Sequence, residues 1–227
     1  MKHVLIFLFL LFTCSAFASD IDSNVLIEKS SLTKNESKIR DSAVKVITSS
    51  GMGSGTYTVI AKKNVVLTAA HVVDDLSTVV VEGRNGEKVN GDVVYVDTDN
   101  DFAIVKVPNL VTRTPVKFVQ SPLSLEDMVG ENINYTGFPN GHDLFTMRGS
   151  VAGIEKGYIV LQSYAWMGAS GAGVFNSKGE IVGILVAVDM VRFDRTHHIV
   201  ESMVWIVPIK NIELRLVESV LSKMGVK

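Results

Sequence analysis

The sequence has almost no cysteine, because its 227 residues contain only Cys14. A single cysteine cannot form an internal disulfide, so a fold of this size has to be stabilised by its hydrophobic core. Cys14 also lies within an N-terminal segment that we expect to be removed. Catalysis by a thiol is therefore excluded for the mature chain.

The chain also lacks an excess of charge of either sign and long hydrophobic runs. Its 22 basic and 24 acidic residues give a formal net charge of −2, so we expect neither nucleic acid nor an anionic membrane as a partner. The apolar run from Val4 to Phe12 is too short to span a bilayer. No stable membrane insertion is expected.

The first 18 residues have the pattern of a secretory signal peptide. Lys2 and His3 precede the apolar run, and Ala16-Phe17-Ala18 offers small residues at the two positions read before a cleavage site. Cleavage after Ala18 would leave 209 residues and export the protein to the periplasm or the medium. Lipid attachment at Cys14 is the alternative, but Phe12 and Thr13 are poor matches for the small residues it requires.

The remaining sequence predicts two β modules and one helix. Residues 19–40 are polar and predict a flexible leader, a weakly helical arm or a removable pro-segment. Short apolar segments separated by Gly, Asn and Asp then predict strands of a barrel or sandwich in two units, 41–120 and 121–208. From Ile209 to Met224 the apolar residues recur with helical spacing, so residues 209–227 are expected to form a C-terminal helix and tail.

Three residues in this sequence are candidates for a catalytic role. His71 ends the apolar run Val65–Ala70, Asp101 begins an apolar segment, and Ser170 lies in Gly168-Ala169-Ser170-Gly171. Each also has a purely structural interpretation, as a hydrogen-bonded core histidine, a turn aspartate and a glycine-rich turn.

The three residue types match the requirements of nucleophilic catalysis. A serine hydroxyl needs a general base, which histidine supplies near neutral pH. A carboxylate then fixes the histidine tautomer, and spacing alone leaves Asp97 and Asp99 as rivals of Asp101. The amides of Gly168 and Ser170 would bind the developing oxyanion.

Five short strings occur in one order along the chain and together resemble a known family. They are Gly53-Ser54-Gly55, Leu67-Thr68-Ala69-Ala70-His71, the segment from Asp101 to Val107, Tyr135-Thr136-Gly137-Phe138-Pro139, and Gly168-Ala169-Ser170-Gly171. They resemble the chymotrypsin-like (trypsin-like) serine endopeptidases, especially the disulfide-free bacterial HtrA and glutamyl endopeptidase branches. The similarity extends from about Ala43 to Pro208.

This resemblance implies an all-β fold of two six-stranded antiparallel β-barrels with a C-terminal α-helix. It implies that His71 is the general base, that Asp101 orients it, and that Ser170 is the nucleophile, with Gly168 and Ser170 forming the oxyanion hole. The substrate would be a protein or peptide. By analogy, its primary pocket would be lined by Tyr164, Ala165, Trp166, Val186, Ala187 and Val188.

Neither a cofactor nor a metal is expected. His197 and His198 are adjacent, but no third spaced ligand accompanies them, so we interpret them as loop residues. The six pocket residues include no acid, which argues against a strict preference for Arg or Lys. The sequence gives no prediction of the oligomeric state.

One departure from the family favours an alternative function. Val186 stands where related enzymes often have a serine that supports the catalytic aspartate. The alternative is a catalytically idle chymotrypsin-like module that binds a protein partner, since a fold does not guarantee an activity.

Overall fold

Two closed barrels of six antiparallel strands form the core of the computed structural model, which describes residues 32–193 and 196–224. The predicted fold class is confirmed. The signal peptide expected at 1–18 and most of the expected leader lie outside the described residues.

The first barrel comprises β1 (Ala43–Ile47), β2 (Met52–Ile60), β3 (Lys63–Thr68), β4 (Thr78–Glu82), β5 (Lys88–Asp97) and β6 (Phe102–Lys106). The second comprises β7 (Asn132–Gly137), β8 (Phe145–Glu155), β9 (Tyr158–Gln162), β10 (Gly173–Asn176), β11 (Ile181–Phe193) and β12 (Thr196–Pro208). Closure pairs the edge strands, which an open sheet would leave exposed.

Three α-helices accompany the strands within the described residues: α1 (Lys34–Ser42), α2 (Ala70–Val73) and α3 (Leu214–Lys223). Short 3-10 turns lie at Glu126–Met128, Pro139–Gly141 and Ile209–Asn211. None of the described helices has the length and apolar composition needed to cross a membrane.

A continuous apolar cluster joins the two barrels and both terminal helices. Its members come from β3, β6, β10, β11, α1 and α3, and include Leu67, Phe102, Phe175, Ile181, Ile39 and Val217. Burial of this surface holds the barrels together, because separating them would return large apolar side chains to water.

Residues 34–40 belong to the segment for which the sequence left a flexible leader, a weakly helical arm or a pro-segment open, and in the structure they form part of helix α1. Thr33 caps this helix, and Glu36 completes a capping box with it. Ile39 is buried in the joint cluster of the two barrels. Because the segment is mostly polar, its sequence did not predict the burial of Ile39 or the ion pair between Glu36 and Arg148.

The C-terminal helix is shorter than its apolar pattern predicted. It begins at Leu214 rather than Ile209, because residues 209–211 form a 3-10 turn after Pro208. Val217 and Leu221 are buried, whereas Leu216 and Met224 are exposed. The buried stripe is therefore narrower than the apolar face in the sequence.

Strands β11 and β12 also extend further than the sequence indicated. His197 and His198, interpreted above as loop residues, lie in β12 and pair with Arg192 and Val191 of β11. β-Branched residues such as Val191 favour strand structure and continue the ladder beyond the barrel. The charged residues around them had obscured that signal.

Helix α1 makes an ion pair with the second barrel between the buried Glu36 and the exposed Arg148. The Glu36 carboxylate accepts from Nε and Nη2 of Arg148 at 2.5 and 3.0 Å and from the backbone N–H of Thr33 at 2.6 Å. The Arg148 hydrogen bond, opposed by burial and helped by Thr33, lowers the pKa of Glu36 from 4.5 to about 2. A lowered carboxyl pKa stabilises the folded state only at pH values where the carboxyl is ionised.

We expect Glu36→Gln to lower the free energy of unfolding by about 2 kcal/mol at pH 7. The difference from the wild type should shrink as the pH falls from about 4.5 towards about 2, because the wild-type carboxyl then becomes protonated. Urea unfolding across this pH range measures it. Glu155→Gln, which removes an exposed pair with Lys156, is the control and should change little. A difference independent of pH would contradict the expectation.

Candidate active site

His71 lies at the point where strand β3 gives way to the single-turn helix α2. The strand ends at Thr68, and Ala69 and Ala70 are buried. Val72 and Val73 anchor the turn in the core of the first barrel. The His71 side chain itself is 49% exposed, so its ring faces outward while its neighbours hold the backbone.

Asp101 contacts His71 in two places. Its Oδ2 lies 2.7 Å from His71 Nδ1, and its Oδ1 accepts from the His71 backbone N–H at 2.9 Å. A carboxylate on Nδ1 favours the tautomer that leaves Nε2 as an acceptor. Asp101 has a left-handed backbone, with φ +47°.

The two rival aspartates are placed elsewhere. Asp97 accepts from the backbone and side-chain nitrogens of Asn100 at 3.0 and 2.9 Å, and thus stabilises the turn before β6. Asp99 is exposed. The structure therefore brings Asp101, and not its rivals, to the histidine.

The Asp101 carboxyl is held in its ionised form. Burial by itself raises the pKa of Asp101, but the hydrogen bonds from the His71 ring and from the backbone N–H groups of His71 and Ala70 outweigh it. The pKa of Asp101 is consequently below its ordinary value.

Ser170 lies in a tight turn of residues 166–172, in which every carbonyl from 166 to 170 accepts a hydrogen bond. The donors to these carbonyls are, in chain order, the backbone N–H groups of Ala169 and Asn140, the Ser54 hydroxyl, and the backbone N–H groups of Ala172 and Ser54. With its carbonyls bound in this way, the turn has a fixed set of peptide planes.

The N–H groups of Gly168 and Ser170 take no part in these hydrogen bonds. Within the described residues, neither of these N–H groups donates to a backbone or side-chain acceptor. Gly168 has φ +92°, which a residue with a β-carbon rarely adopts. Two unpaired amides beside a half-buried serine are suited to binding an anionic oxygen.

The 166–172 turn packs against the strand end that carries His71. A β-carbon at Gly171 would lie 3.1 Å from the Ala69 backbone nitrogen. A β-carbon at Gly53 would lie 2.6 Å from Val72 Cγ2 and 3.0 Å from the Ser170 carbonyl oxygen. The fold thus brings Ser170 next to residues on both sides of His71, from which it is 99 positions distant in sequence.

The Ser170 hydroxyl makes no hydrogen bond to any other described residue, His71 included. In proteins of this chemistry the bond between nucleophile and base is often long until substrate binds. The ring and the hydroxyl are supplied by different barrels, so their separation depends on the packing between the barrels.

The six predicted pocket residues are not equivalent in the structure. Ala165 is buried in the core of the second barrel, and Val186 packs in the core of the first. Tyr164 and Ala187 are exposed, whereas Trp166 and Val188 are half-buried. The backbone before the turn is tied to β12 by the Ala165 N–H, which donates to the Glu201 carbonyl at 2.9 Å.

Gly53-Ser54-Gly55, one of the five strings noted in the sequence, lies within strand β2 and contacts the turn directly. Ser54 and Thr56 are buried polar residues in this strand. The Thr56 hydroxyl accepts from the Gly173 N–H at 2.9 Å. Polar residues in a buried strand must find hydrogen-bond partners, and this was the feature of the sequence that could have indicated their contact with the turn.

No group of three or more histidines, cysteines and acids suited to hold a metal ion occurs in the part of the chain that the structure describes.

Comparison with known proteins assigns a family to this arrangement. A family model described as a trypsin-like peptidase domain matches residues 53–184, which is more than half of the chain. The chain belongs to the trypsin-like peptidase family. The matched region contains all three candidate residues.

Relatives of this trypsin-like peptidase include HhoA of Synechocystis sp., 33% identical over 148 residues that cover 60% of this chain and 37% of HhoA. The periplasmic serine endoprotease DegP of Salmonella typhimurium is 28% identical over 146 residues, covering 60% of this chain and 30% of DegP. The chain therefore matches about a third of the length of these relatives.

The fold has solved counterparts. A serine endoprotease from Yersinia pestis aligns with a TM-score of 0.64 at 18% identity, covering 86% of this chain and 68% of that one. At this identity the similarity concerns the fold alone. The trypsin-like peptidase family is thus supported by both the sequence match and the two-barrel architecture.

Gly171→Ala should destabilise this trypsin-like peptidase more than Gly157→Ala does. Both glycines have φ above +80°, so both alanines carry backbone strain of about 1–2 kcal/mol. Only at Gly171 would the new methyl lie 2.1 Å from the Ser54 carbonyl oxygen and 2.2 Å from Thr68 Oγ1; at Gly157 nothing lies within 4 Å. Urea unfolding should show an additional loss of about 2 kcal/mol or more for Gly171→Ala. Equal losses in the two variants would contradict the packing described here.

Proposed function

We propose that the protein is an exported serine endopeptidase in which Ser170, His71 and Asp101 form the catalytic triad. The observation that carries this proposal is the pairing of Asp101 with His71 beside a turn whose Gly168 and Ser170 amides are unpaired. Those two features are what acyl transfer requires, namely an oriented base and an anion-binding site next to a hydroxyl.

In the proposed reaction, Ser170 Oγ attacks the carbonyl carbon of the scissile bond and its proton passes to His71 Nε2. Asp101 stabilises the imidazolium that results. The tetrahedral oxyanion accepts from the Gly168 and Ser170 amides, each of which contributes roughly 3–4 kcal/mol in comparable sites.

Collapse of this intermediate breaks the C–N bond, and His71 gives its proton to the leaving amine. The remaining acyl group is an ester of Ser170. A water molecule then attacks the ester while His71 again removes a proton, and the second half of the reaction releases the acid and regenerates the serine.

The proposed substrate is a protein or peptide with a small or apolar side chain before the cleaved bond. Trp166, Ala187 and Val188 offer partly exposed apolar surface on both sides of the proposed pocket. The acid that follows them, Asp189, has a carboxylate oxygen that accepts from the Met190 N–H at 2.8 Å. A basic substrate side chain that contacts only Trp166, Ala187 and Val188 would meet apolar surface, which disfavours it.

Export is inferred from the signal-like pattern of residues 1–18, and the name of one relative describes a periplasmic protein. We expect the exported chain to begin at Ser19. Intact-mass measurement of protein secreted by an expressing bacterium checks this. A chain that retains Met1 in the cytoplasm would overturn the inference.

A fluorophosphonate probe should label the protein, and Ser170→Ala should abolish the labelling, because phosphonylation requires the activated hydroxyl. Ser163→Ala, which removes a nearby hydroxyl bonded to the Arg148 carbonyl, is the control and should label normally. Asp101→Asn should lower kcat on casein by about 10³- to 10⁴-fold through the wrong histidine tautomer.

Absence of labelling in the wild type between pH 6 and pH 9 would favour the idle binding module instead. Sequencing the casein fragments by mass spectrometry tests the pocket in the same experiment. Cleavage mainly after Arg and Lys would contradict the proposed preference.

A further inference from the structure

We propose that Ser54 is a positioning residue for the proposed endopeptidase, which holds the 166–172 turn in the geometry that binds the oxyanion. This inference rests on the proposed function. Ser54 belongs to the first barrel, whereas the turn belongs to the second, so the residue acts across the interface between the barrels.

Ser54 makes three hydrogen bonds to the second barrel. Its backbone N–H donates to the Ser170 carbonyl at 2.8 Å. Its hydroxyl donates to the Gly168 carbonyl at 2.7 Å and accepts from the Phe138 N–H at 3.0 Å. Both functions of the hydroxyl are therefore used, and both partners are backbone groups at or beside the turn.

Packing alone does not account for a serine at this position. Ser54 is fully buried, and burying a hydroxyl is favourable only when it is hydrogen-bonded. An alanine would occupy nearly the same space without a polar atom. What the hydroxyl adds is a directional link between the Gly168 carbonyl and the Phe138 amide.

The residue that the hydroxyl holds is the one that most needs an external constraint. Gly168 lacks a β-carbon and has φ +92°, so its backbone has more accessible conformations than that of any other residue type. The preceding peptide plane is set by the Asn140 N–H, which donates to the Met167 carbonyl. The Gly168 N–H lies in that preceding plane, and Ser54 binds the following plane, so the two contacts together fix the backbone rotation at Gly168 that relates the planes.

Ser54 also binds the peptide plane that follows the Ser170 amide. The Ser170 carbonyl accepts from the Ser54 N–H, while the Ala169 carbonyl accepts from the Ala172 N–H at 3.1 Å. The planes on both sides of Ser170 are thus bound. Ser54 therefore influences both amides of the proposed oxyanion hole without touching a substrate.

The space around Ser54 limits which side chains can do this. A β-carbon at Gly137 would lie 2.8 Å from Ser54 Oγ, so the hydroxyl is enclosed between Gly137 and Gly168. The Ser54 carbonyl accepts from the Thr68 hydroxyl at 2.8 Å, which fixes the strand that presents it. Removing the hydroxyl leaves the backbone of β2 in place and frees the Gly168 carbonyl.

The test compares Ser54→Ala with the matched control Thr58→Val. Thr58 is also fully buried in β2, and its hydroxyl donates to the Val116 carbonyl at 2.7 Å, away from the turn. We expect Ser54→Ala to lower the rate of fluorophosphonate labelling and kcat on casein by about 10- to 100-fold with KM little changed, because the oxyanion donors are misplaced. Thr58→Val should lower only the thermal midpoint.

A Ser54→Ala protein that is labelled within about threefold of the wild-type rate would overturn the proposal, since such a change lies below the loss expected for a displaced donor. If Ser54→Ala does not fold, Ser54→Cys replaces it, because a thiol is a weaker donor of similar shape. Its labelling rate should then be reduced, and a wild-type rate would overturn the proposal.

A second measurement does not depend on activity. In ¹H–¹⁵N spectra, the Gly168 amide resonance should shift or broaden in Ser54→Ala and stay unchanged in Thr58→Val. An unchanged Gly168 resonance in Ser54→Ala would overturn the positioning role. Failure of the wild type to be labelled would instead overturn the proposed function, so the two failures are distinguishable.

Discussion

Three hydrogen bonds cross from strand β2 of the first barrel to the segment around Ser170 in the second, and the geometry of the candidate site depends on them. Ser54 supplies two of these bonds, to the carbonyls of Gly168 and Ser170, and Thr56 accepts the third from Gly173. All three are protected by the apolar core where the barrels meet. Hydrogen bonds shielded from water are electrostatically stronger than exposed ones, so a small number can hold a turn whose two glycines would otherwise leave it loosely defined.

The position of His71 likewise depends on a small number of contacts. One carboxylate, that of Asp101, binds both the ring and the backbone of His71, so the same charge orients the imidazole and caps the single turn that carries it. A helix of one turn has little stability of its own. The buried valines below it and the carboxylate above it supply what the short helix lacks, and the aspartate remains ionised because those hydrogen bonds outweigh its burial.

Much of the fold was predictable from sequence, because each barrel strand has a local signal. β3 is a nearly continuous apolar run because it is covered on both faces, and β6 directly follows Asp101 and consists mostly of buried residues. The errors fall where polarity conceals packing. Helix α1 has one buried apolar residue among many charges, and its place in the structure comes from the Glu36–Arg148 ion pair with a strand 112 positions away. The sequence around Glu36 contains nothing that predicts an ion pair with so distant a residue.

For the site, residue types in order along the chain sufficed to nominate His71, Asp101 and Ser170, since the chemistry limits which side chains can serve as base, orienting acid and nucleophile. Spacing alone left Asp97 and Asp99 open, whereas the family resemblance pointed to Asp101, and it marked Gly53-Ser54-Gly55 as a shared string without giving Ser54 a role. The contact of Asp101 with His71 and the contact of Ser54 with the turn are visible only in the tertiary structure. The reason is physical: hydrogen bonds act over about 3 Å, and which groups come that close is set by how the two barrels pack.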